Sequence, residues 1–187
     1  VLFIFIRASI LGWSLGDPPQ ELMNNPYLKL VGNVYLPFTF SEKLATITFT
    51  MGKYLQLMIA PLVLTHDYYP KHIDVMSWTD WRVLGSLIAY TTIIGFALLR
   101  FRKFPFLAWS VLVYIAALSI VSNIVFPVGV HMSERFIYMP SVGFALAMAV
   151  LLYRFAQSLS GGKPKLKELV LPIGILGVFL LAFAAKT

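Results

Sequence analysis

The chain contains no cysteine. Disulfides and thiolate metal sites are therefore excluded, and the redox compartment cannot be read from it. Its three histidines, His66, His72 and His131, are scattered and give a zinc motif no support. Charge is also scarce: 12% of the 187 residues are charged and 59% are hydrophobic, with a mean hydropathy of +0.80. A soluble domain of this size would expose far more charge, so the composition predicts a polytopic membrane protein. A formal net charge of +7 raises the question of nucleic acid. Lys and Arg sit in short loops between apolar spans, however, the distribution that sets orientation in a bilayer. No nucleic-acid partner is expected. A basic n-region and a small-residue cleavage site are both missing, which argues against a signal peptide. The chain opens inside one apolar run and ends just after another, and it reads as a piece of a longer protein.

What is present is a series of apolar segments. Val1–Gly12 reads as the end of a helix, residues 1–12, with Arg7 inside it. Val83–Leu99, Phe106–Phe126 and Leu169–Ala185 approach the roughly 20 residues needed to cross a bilayer. Val142–Phe155 reaches that length only with its flanks. Spans are predicted at about 83–99, 106–126, 140–157 and 168–185, the third opening on Pro140-Ser141, a good helix start. Arg100, Arg102 and Lys103 form one basic turn, and Arg154, Lys163, Lys165 and Lys167 another around Gly161-Gly162. Both are expected in the cytoplasm. Loop 127–141 and everything between Trp13 and Arg82 then fall on the outer face.

Residues 13–82 are predicted to form a long outer loop with one helix at about 41–64. Leu44, Ile47, Met51, Leu55 and Met58 share one helical face, while Glu42, Thr46, Lys53 and Gln56 favour the other. If both ends of the loop are outside, this helix must lie in the interface or re-enter. The expected fold is thus an all-α polytopic membrane protein with an interfacial or re-entrant helix in a long outer loop.

Between Lys103 and Arg154 the only full charges are Glu134 and Arg135. An adjacent acid and base between two apolar spans is costly near lipid unless something satisfies it, and such groups are functional-site candidates. Around them runs Ser122-Asn123-Ile124-Val125-Phe126, then Gly129, then Glu134-Arg135-Phe136-Ile137-Tyr138-Met139-Pro140-Ser141-Val142-Gly143-Phe144. This resembles the signature of the transmembrane and tetratricopeptide-repeat O-mannosyltransferases and their bacterial relatives, members of the GT-C superfamily. Other pieces fall in the family's order. Phe5-Ile6-Arg7 with Gly12 resembles the end of its preceding helix. Asn25-Pro26 resembles an element in which an acid usually stands where Asn24 is. Pro61 followed by Asp67-Tyr68-Tyr69, and Asp80-Trp81-Arg82 before the next helix, resemble two more. The resemblance covers roughly residues 5–155.

The resemblance implies a GT-C-like helical bundle, in the bacterial inner membrane or, in a eukaryote, the endoplasmic reticulum. It implies transfer of a sugar, mannose in the eukaryotic members, from a polyprenyl-phosphate carrier to a protein hydroxyl on the lumenal or periplasmic side. The implied partners are membrane lipid, the lipid-linked sugar donor and an acceptor protein. In the family the catalytic acid lies in the first outer loop and tetratricopeptide repeats follow the membrane part. The chain is therefore expected to be the C-terminal part of such a membrane domain, without the catalytic loop. A need for a divalent metal stays open, and no metal-ligand set is assigned.

A donor of this kind brings a phosphodiester to the membrane surface on an apolar tail. Its site needs a cation or N–H donors at headgroup depth above an apolar groove. Arginine suits it, because its planar fork binds phosphate oxygens bidentately and stays charged. A fixed cation also offsets the charge that builds on the departing phosphate. Arg135 is the first candidate, with Glu134 to orient it and Tyr138 to bond phosphate or sugar. The alternative is a structural clasp of Glu134, Arg135 and Tyr138 between two outer loops. Asp67 could bind sugar hydroxyls, bind a divalent metal or pair with Arg135, or could form a turn before an interfacial aromatic pair. Arg82 is a further donor-site candidate. Asp80 has a sufficient electrostatic role at a helix start. His131 and His66 could bind phosphate when protonated. Arg7 either snorkels or lines the donor groove. Lys53 is expected to meet headgroups. Trp78, Trp81, Tyr68 and Tyr69 read as an interfacial belt. The competing functions are a non-catalytic membrane scaffold and a transporter subunit. The charge-free spans argue against the transporter.

Overall fold

A computed structural model describes residues 25–61, 65, 68, 72–124, 128–161 and 166–186. The helix end expected at 1–12 with Arg7, and the candidates His66 and Asp67, lie outside the described residues. The described chain opens with an antiparallel hairpin, β1 (Leu28–Val31) and β2 (Val34–Pro37), in the register Leu28↔Pro37 and Val31↔Val34. Five helices follow: α1 (Phe40–Ile59), α2 (Trp81–Leu99), α3 (Pro105–Val121), α4 (Tyr138–Ser160) and α5 (Leu166–Lys186). A 3-10 turn, Glu134–Ile137, leads directly into α4.

The hairpin was not foreseen within the 13–82 loop. Its two strands meet through the two-residue turn Gly32-Asn33, with Gly32 at φ +64°, a conformation that costs glycine little. Its base is tied to α1. Phe38 N–H donates to the Tyr27 carbonyl at 2.9 Å, and the Lys29 ammonium meets Glu42 at 2.7 Å. Thr39-Phe40-Ser41-Glu42 is a capping box. Glu42 N–H donates to Thr39 Oγ1 at 3.3 Å, and Thr39 N–H donates back to the Glu42 carboxylate at 2.8 Å. These bonds hold the Glu42 carboxyl down at about 2.

Helix α1 stops at Ile59 rather than 64. Ala60 is extended because Pro61 disfavours a helical residue before it. Its faces also differ from the expected division. Thr46, assigned to the polar face, is fully buried. It donates to the Glu42 carbonyl at 2.8 Å and accepts Met76 N–H at 3.2 Å. Leu44, Met51 and Leu55 are only half-buried. The helix is packed against α2 and the 3-10 turn, and that packing, rather than the hydropathy stripe, sets its rotation.

Asp80 caps α2, accepting Arg82 N–H at 2.8 Å. Pro105 opens α3, where its missing N–H is harmless. That helix ends at Val121 instead of 126, with Asn123 turned to φ +61°. Gly161, at φ +64°, closes α4. By length and composition two helical stretches can cross a membrane, Trp81–Leu99 and Glu134–Ser160. Pro105–Val121 and Leu169–Ala182 are shorter apolar helices. Most of the surface of the two longer stretches is unburied, 22% and 11% of each being covered by protein.

The buried core gathers where α1, α2 and α3 meet the turns, around Tyr54, Val83, Leu118 and Met132. A hydroxyl chain crosses it. Tyr90 donates to the Met51 carbonyl at 2.9 Å and lies 2.7 Å from the Tyr114 hydroxyl, which must then be the donor between the two. Phe96 stacks on Phe104 and Tyr90 on Tyr114, so α2 and α3 run in opposite directions, and the Arg154 guanidinium lies over the Phe104 ring at 4.1 Å. The 100–104 turn and the C-terminal part of α4 therefore share one end of the bundle. Glu134–Tyr138 occupies the other.

Helices α3 and α4 make the most extensive helix contact. Gly143 permits it: a Cβ there would lie 2.5 Å from the Tyr114 nitrogen and 2.7 Å from the Ser110 carbonyl oxygen. Backbone cannot yield as a side chain can. Gly143→Ala is expected to destabilise the protein by about 1–3 kcal/mol, the usual cost of overpacking, seen as a lower melting temperature of the purified chain. Gly85→Ala, with nothing within 4 Å of the new Cβ, should melt at or above wild type.

Candidate functional site

The site begins at Asn123. In its left-handed backbone conformation the side chain donates to the Val130 carbonyl at 2.9 Å and accepts Val128 N–H at 2.7 Å. Asparagine tolerates that conformation because its amide can satisfy the local backbone. The loop so formed delivers Met132, fully buried, and Ser133, whose N–H donates to Tyr54 Oη at 3.1 Å. With Ser133 fixed to α1, the next residues wind into the 3-10 turn and present Glu134, Arg135 and Tyr138 at the head of α4. Asn123 and Tyr54 thus position the site, although neither was singled out as a site residue. The unusual backbone of Asn123 is not visible in composition or periodicity.

Glu134 does not pair with Arg135. Its carboxylate accepts Thr65 N–H at 2.6 Å and stands 3.5 Å from the Tyr68 hydroxyl. The expected orienting role of Glu134 toward Arg135 is therefore replaced by a clasp onto the segment after α1. Tyr68, expected in an interfacial belt, is buried instead. Burial first, and then the Glu134 charge, push its hydroxyl above the ordinary tyrosine range. Trp81 is 79% exposed, while Trp78 packs partly against the core. Arg135 is exposed, with its guanidinium 5.7 Å from the Phe136 ring, and has no ion-pair partner among the described residues.

Glu134, Arg135, Tyr138 and Ser141 stand at one end of a groove of about 900 Å³. Its walls are apolar: Leu57, Met58 and Pro61 on one side, Phe144, Met148 and Leu152 of α4 on the next, and Leu176 and Leu180 of α5 opposite. Beside it, sharing Leu57, lies a polar cavity of about 290 Å³ between α1 and the segment before α2. Lys53, Gln56, His72, Asp74 and Arg82 line this cavity together with Thr65 and Tyr68. Arg82 is exposed but has partners on three sides. It meets Asp80 at 2.7 Å, lies over the Phe49 ring at 5.3 Å and approaches Met76 Sδ at 3.8 Å. The arginine holds the Asp80 carboxyl below its ordinary range.

The structure thus divides the expected site residues. It brings Glu134, Arg135 and Tyr138 together at the groove. Arg82 sits in the neighbouring cavity. His131 lines neither. It is buried at the hairpin base, 4.8 Å edge-on from Tyr27 and 6.1 Å from Phe38. Burial lowers its pKa to about 4, against a raising hydrogen bond with the Pro26 backbone. His131 is therefore neutral at neutral pH and offers a phosphate no charge. Its Nδ1, like Tyr27 Oη, has no hydrogen-bond partner among the described residues. Among those residues no group of three or more His, Asp or Glu could hold a metal ion.

Over 141 residues, 70% of its length, the chain is 30% identical to the protein O-mannosyl-transferase Tmtc3 of Drosophila melanogaster, and the match covers 14% of that protein. The likeness supports a relationship to proteins of the Tmtc3 kind, of which the chain spans a small part. No family model and no solved structure matches the chain.

Two predictions follow from this geometry. Glu134→Ala removes the acceptor of the half-buried Thr65 N–H, a loss of about 1 kcal/mol. The Thr65 amide should exchange faster with deuterium while amides of the α3–α4 contact keep their protection. His131 is protonated more readily when unfolded (about 6.5) than when folded (about 4). Its contribution is thus fully present above pH 6.5 and is lost as pH falls from there toward 4, by about 3 kcal/mol in all. Denaturant titrations across that window should show the slope in wild type and a shallower one in His131→Phe.

Proposed function

We propose that this chain forms part of a membrane glycosyltransferase that moves a sugar, of the mannose type, from a polyprenyl-phosphate carrier to a protein hydroxyl. The observation that carries the reading is the amphiphilic groove. One end presents Arg135, Tyr138 and Ser141, with Glu134 bonded to Thr65 beside them, and the rest of the groove of about 900 Å³ is apolar. A lipid phosphate has this distribution of properties: an anionic head and a tail that gains about 25 cal/mol for each Å² removed from water. The likeness to an O-mannosyl-transferase supports the same reading.

The chemistry assigns roles to the residues at the groove head. The acceptor oxygen attacks the sugar's anomeric carbon, the bond from that carbon to the phosphate oxygen breaks, and the electron pair leaves with the lipid phosphate. The hydroxyl proton passes to a base expected in another outer loop of the parent protein. Arg135 offsets the charge that develops on the leaving phosphate, and among the described residues no ion pair occupies its fork. Tyr138 donates to a phosphate or sugar oxygen. Glu134, committed to Thr65, fixes the turn that carries both.

The reading places this end of the bundle on the outer or lumenal side. The basic turn after α2 and Arg154 of α4 lie at the opposite end, as the positive-inside rule requires of cytoplasmic segments. The expected outcome for Arg135→Ala is a loss of transfer by the parent protein of about 10²–10³-fold, with expression unchanged. Binding of polyprenyl phosphate to the reconstituted chain should weaken in parallel. Unchanged transfer and binding would remove Arg135 from the site and favour a non-catalytic scaffold.

A further inference from the structure

We propose that the basic end of the bundle, opposite Glu134–Tyr138, holds the headgroup of an anionic phospholipid, its phosphate seated between Lys103 and Arg154 beside the Phe104 ring. The inference uses the membrane placement of the helices and is independent of the donor reading.

Three observations carry it. The first is convergence. Lys103 belongs to the turn after α2 and Arg154 to α4, and both bring their charge to one ring. The Arg154 guanidinium lies 4.1 Å from the Phe104 centroid and the Lys103 ammonium 5.5 Å from it. The two cations are therefore within a Debye length of each other, about 10 Å at ordinary salt. The ring face attracts each of them but neutralises neither. An anion between them turns a repulsion into two attractions. Arginine meets phosphate oxygens with a planar fork and lysine as a point charge. The positive-inside rule asks only for an excess of cations at this end. It does not ask that two of them, from different elements, share a ring.

The second is the want of acids. From Trp81 to Lys167 the sequence holds one acid, Glu134, and the fold puts it at the other end of the bundle. Among the described residues no carboxylate pairs with Arg100, Arg102, Lys103 or Arg154.

The third is the apolar surface that adjoins the cations. Leu99, 85% exposed, directly precedes Arg100, and Phe106, 77% exposed, stands in the first turn of α3. Trp109 is also exposed and lies 6.0 Å from the Phe101 ring, and tryptophan favours the boundary of a bilayer. A soluble anion gains nothing from these groups. A lipid whose phosphate is joined to acyl chains meets the cations and the apolar surface together.

The test uses the chain in zwitterionic detergent micelles. Arg135→Ala is the background throughout, because the groove at the other end also offers lipid a cation. The probes are phosphatidylglycerol, phosphatidylcholine and inorganic phosphate. Phosphatidylglycerol should raise the melting temperature saturably, as a ligand of the folded state does, and the other two should not. With brominated acyl chains it should quench the part of the fluorescence that Trp109→Phe removes. Arg154→Gln and Lys103→Gln should each weaken its binding about fivefold, and Arg154→Lys should keep most of it. Lys167→Gln removes a cation of α5 that is not on the Phe104 ring, and should cost less than about twofold. If Lys167→Gln weakens binding as much as Arg154→Gln does, the attraction is diffuse and the site is overturned. Equal stabilisation by phosphatidylcholine or by inorganic phosphate overturns the anionic-lipid assignment. Should Arg154→Gln fold too poorly to titrate, Lys103→Gln decides: unchanged binding there removes the site, and a fivefold loss with Arg154→Lys intact sustains it.

Discussion

The short bond from the Thr65 amide to the Glu134 carboxylate, 2.6 Å, is the interaction on which the arrangement of this site depends. A carboxylate next to an arginine in a chain so poor in charge would be expected to neutralise it. Here the acid is turned the other way, toward backbone N–H and a tyrosine hydroxyl. The guanidinium is consequently left without an ion pair among the described residues at the head of an apolar groove. The same bond joins the segment after α1 to the start of α4. It therefore stands between the amphiphilic groove and the neighbouring cavity lined by Lys53, Gln56, Asp74 and Arg82. A single hydrogen bond from a backbone donor to a charged acceptor is among the stronger neutral-to-ion contacts, and its half-buried position raises its worth.

That partition is held by elements distant in sequence. Asn123 bends the chain after α3 and bonds the backbone of the returning loop. Tyr54, one of the most buried side chains, receives Ser133 N–H. Gly143 lets α4 approach the α3 backbone closely, which fixes where the groove's apolar wall stands. Each of these residues has a steric or hydrogen-bonding reason of its own. Together they place Arg135 and Tyr138 on a rigid turn rather than a loose loop, the condition under which a fixed cation is effective in catalysis.

The helices were legible in the sequence, and their limits less so. Val83–Leu99 and the run from Val142 are long and apolar, and such runs satisfy their backbone within the helix whatever surrounds them. Asp80 was readable as a helix-start residue because its acid favours a helix N-terminus locally. The Thr39–Glu42 capping box was equally local and went unread, although the helix it opens was expected from about residue 41. The β1–β2 hairpin escaped because its strands are short and mostly exposed, with little alternation to mark them. The rotation of α1 was misjudged, since Thr46 looks polar but is satisfied internally and by Met76 N–H. His131 looked like a phosphate ligand until its burial beside Tyr27 and Phe38 was seen.

By itself the sequence determined that apolar helices dominate, that acids and bases are sparse along the apolar spans, and that Glu134-Arg135 is an exceptional pair. Those properties follow from composition and short-range spacing, which act along the chain. Only the tertiary structure decided that the two do not pair with each other, Glu134 being bonded to Thr65 and Arg135 having no ion pair among the described residues. It alone also decided that Lys53, Gln56, Asp74 and Arg82 share a cavity. The physical reason is that direction and partnership of a side chain depend on groups tens of residues away, and neither hydropathy nor periodicity records which of them arrives.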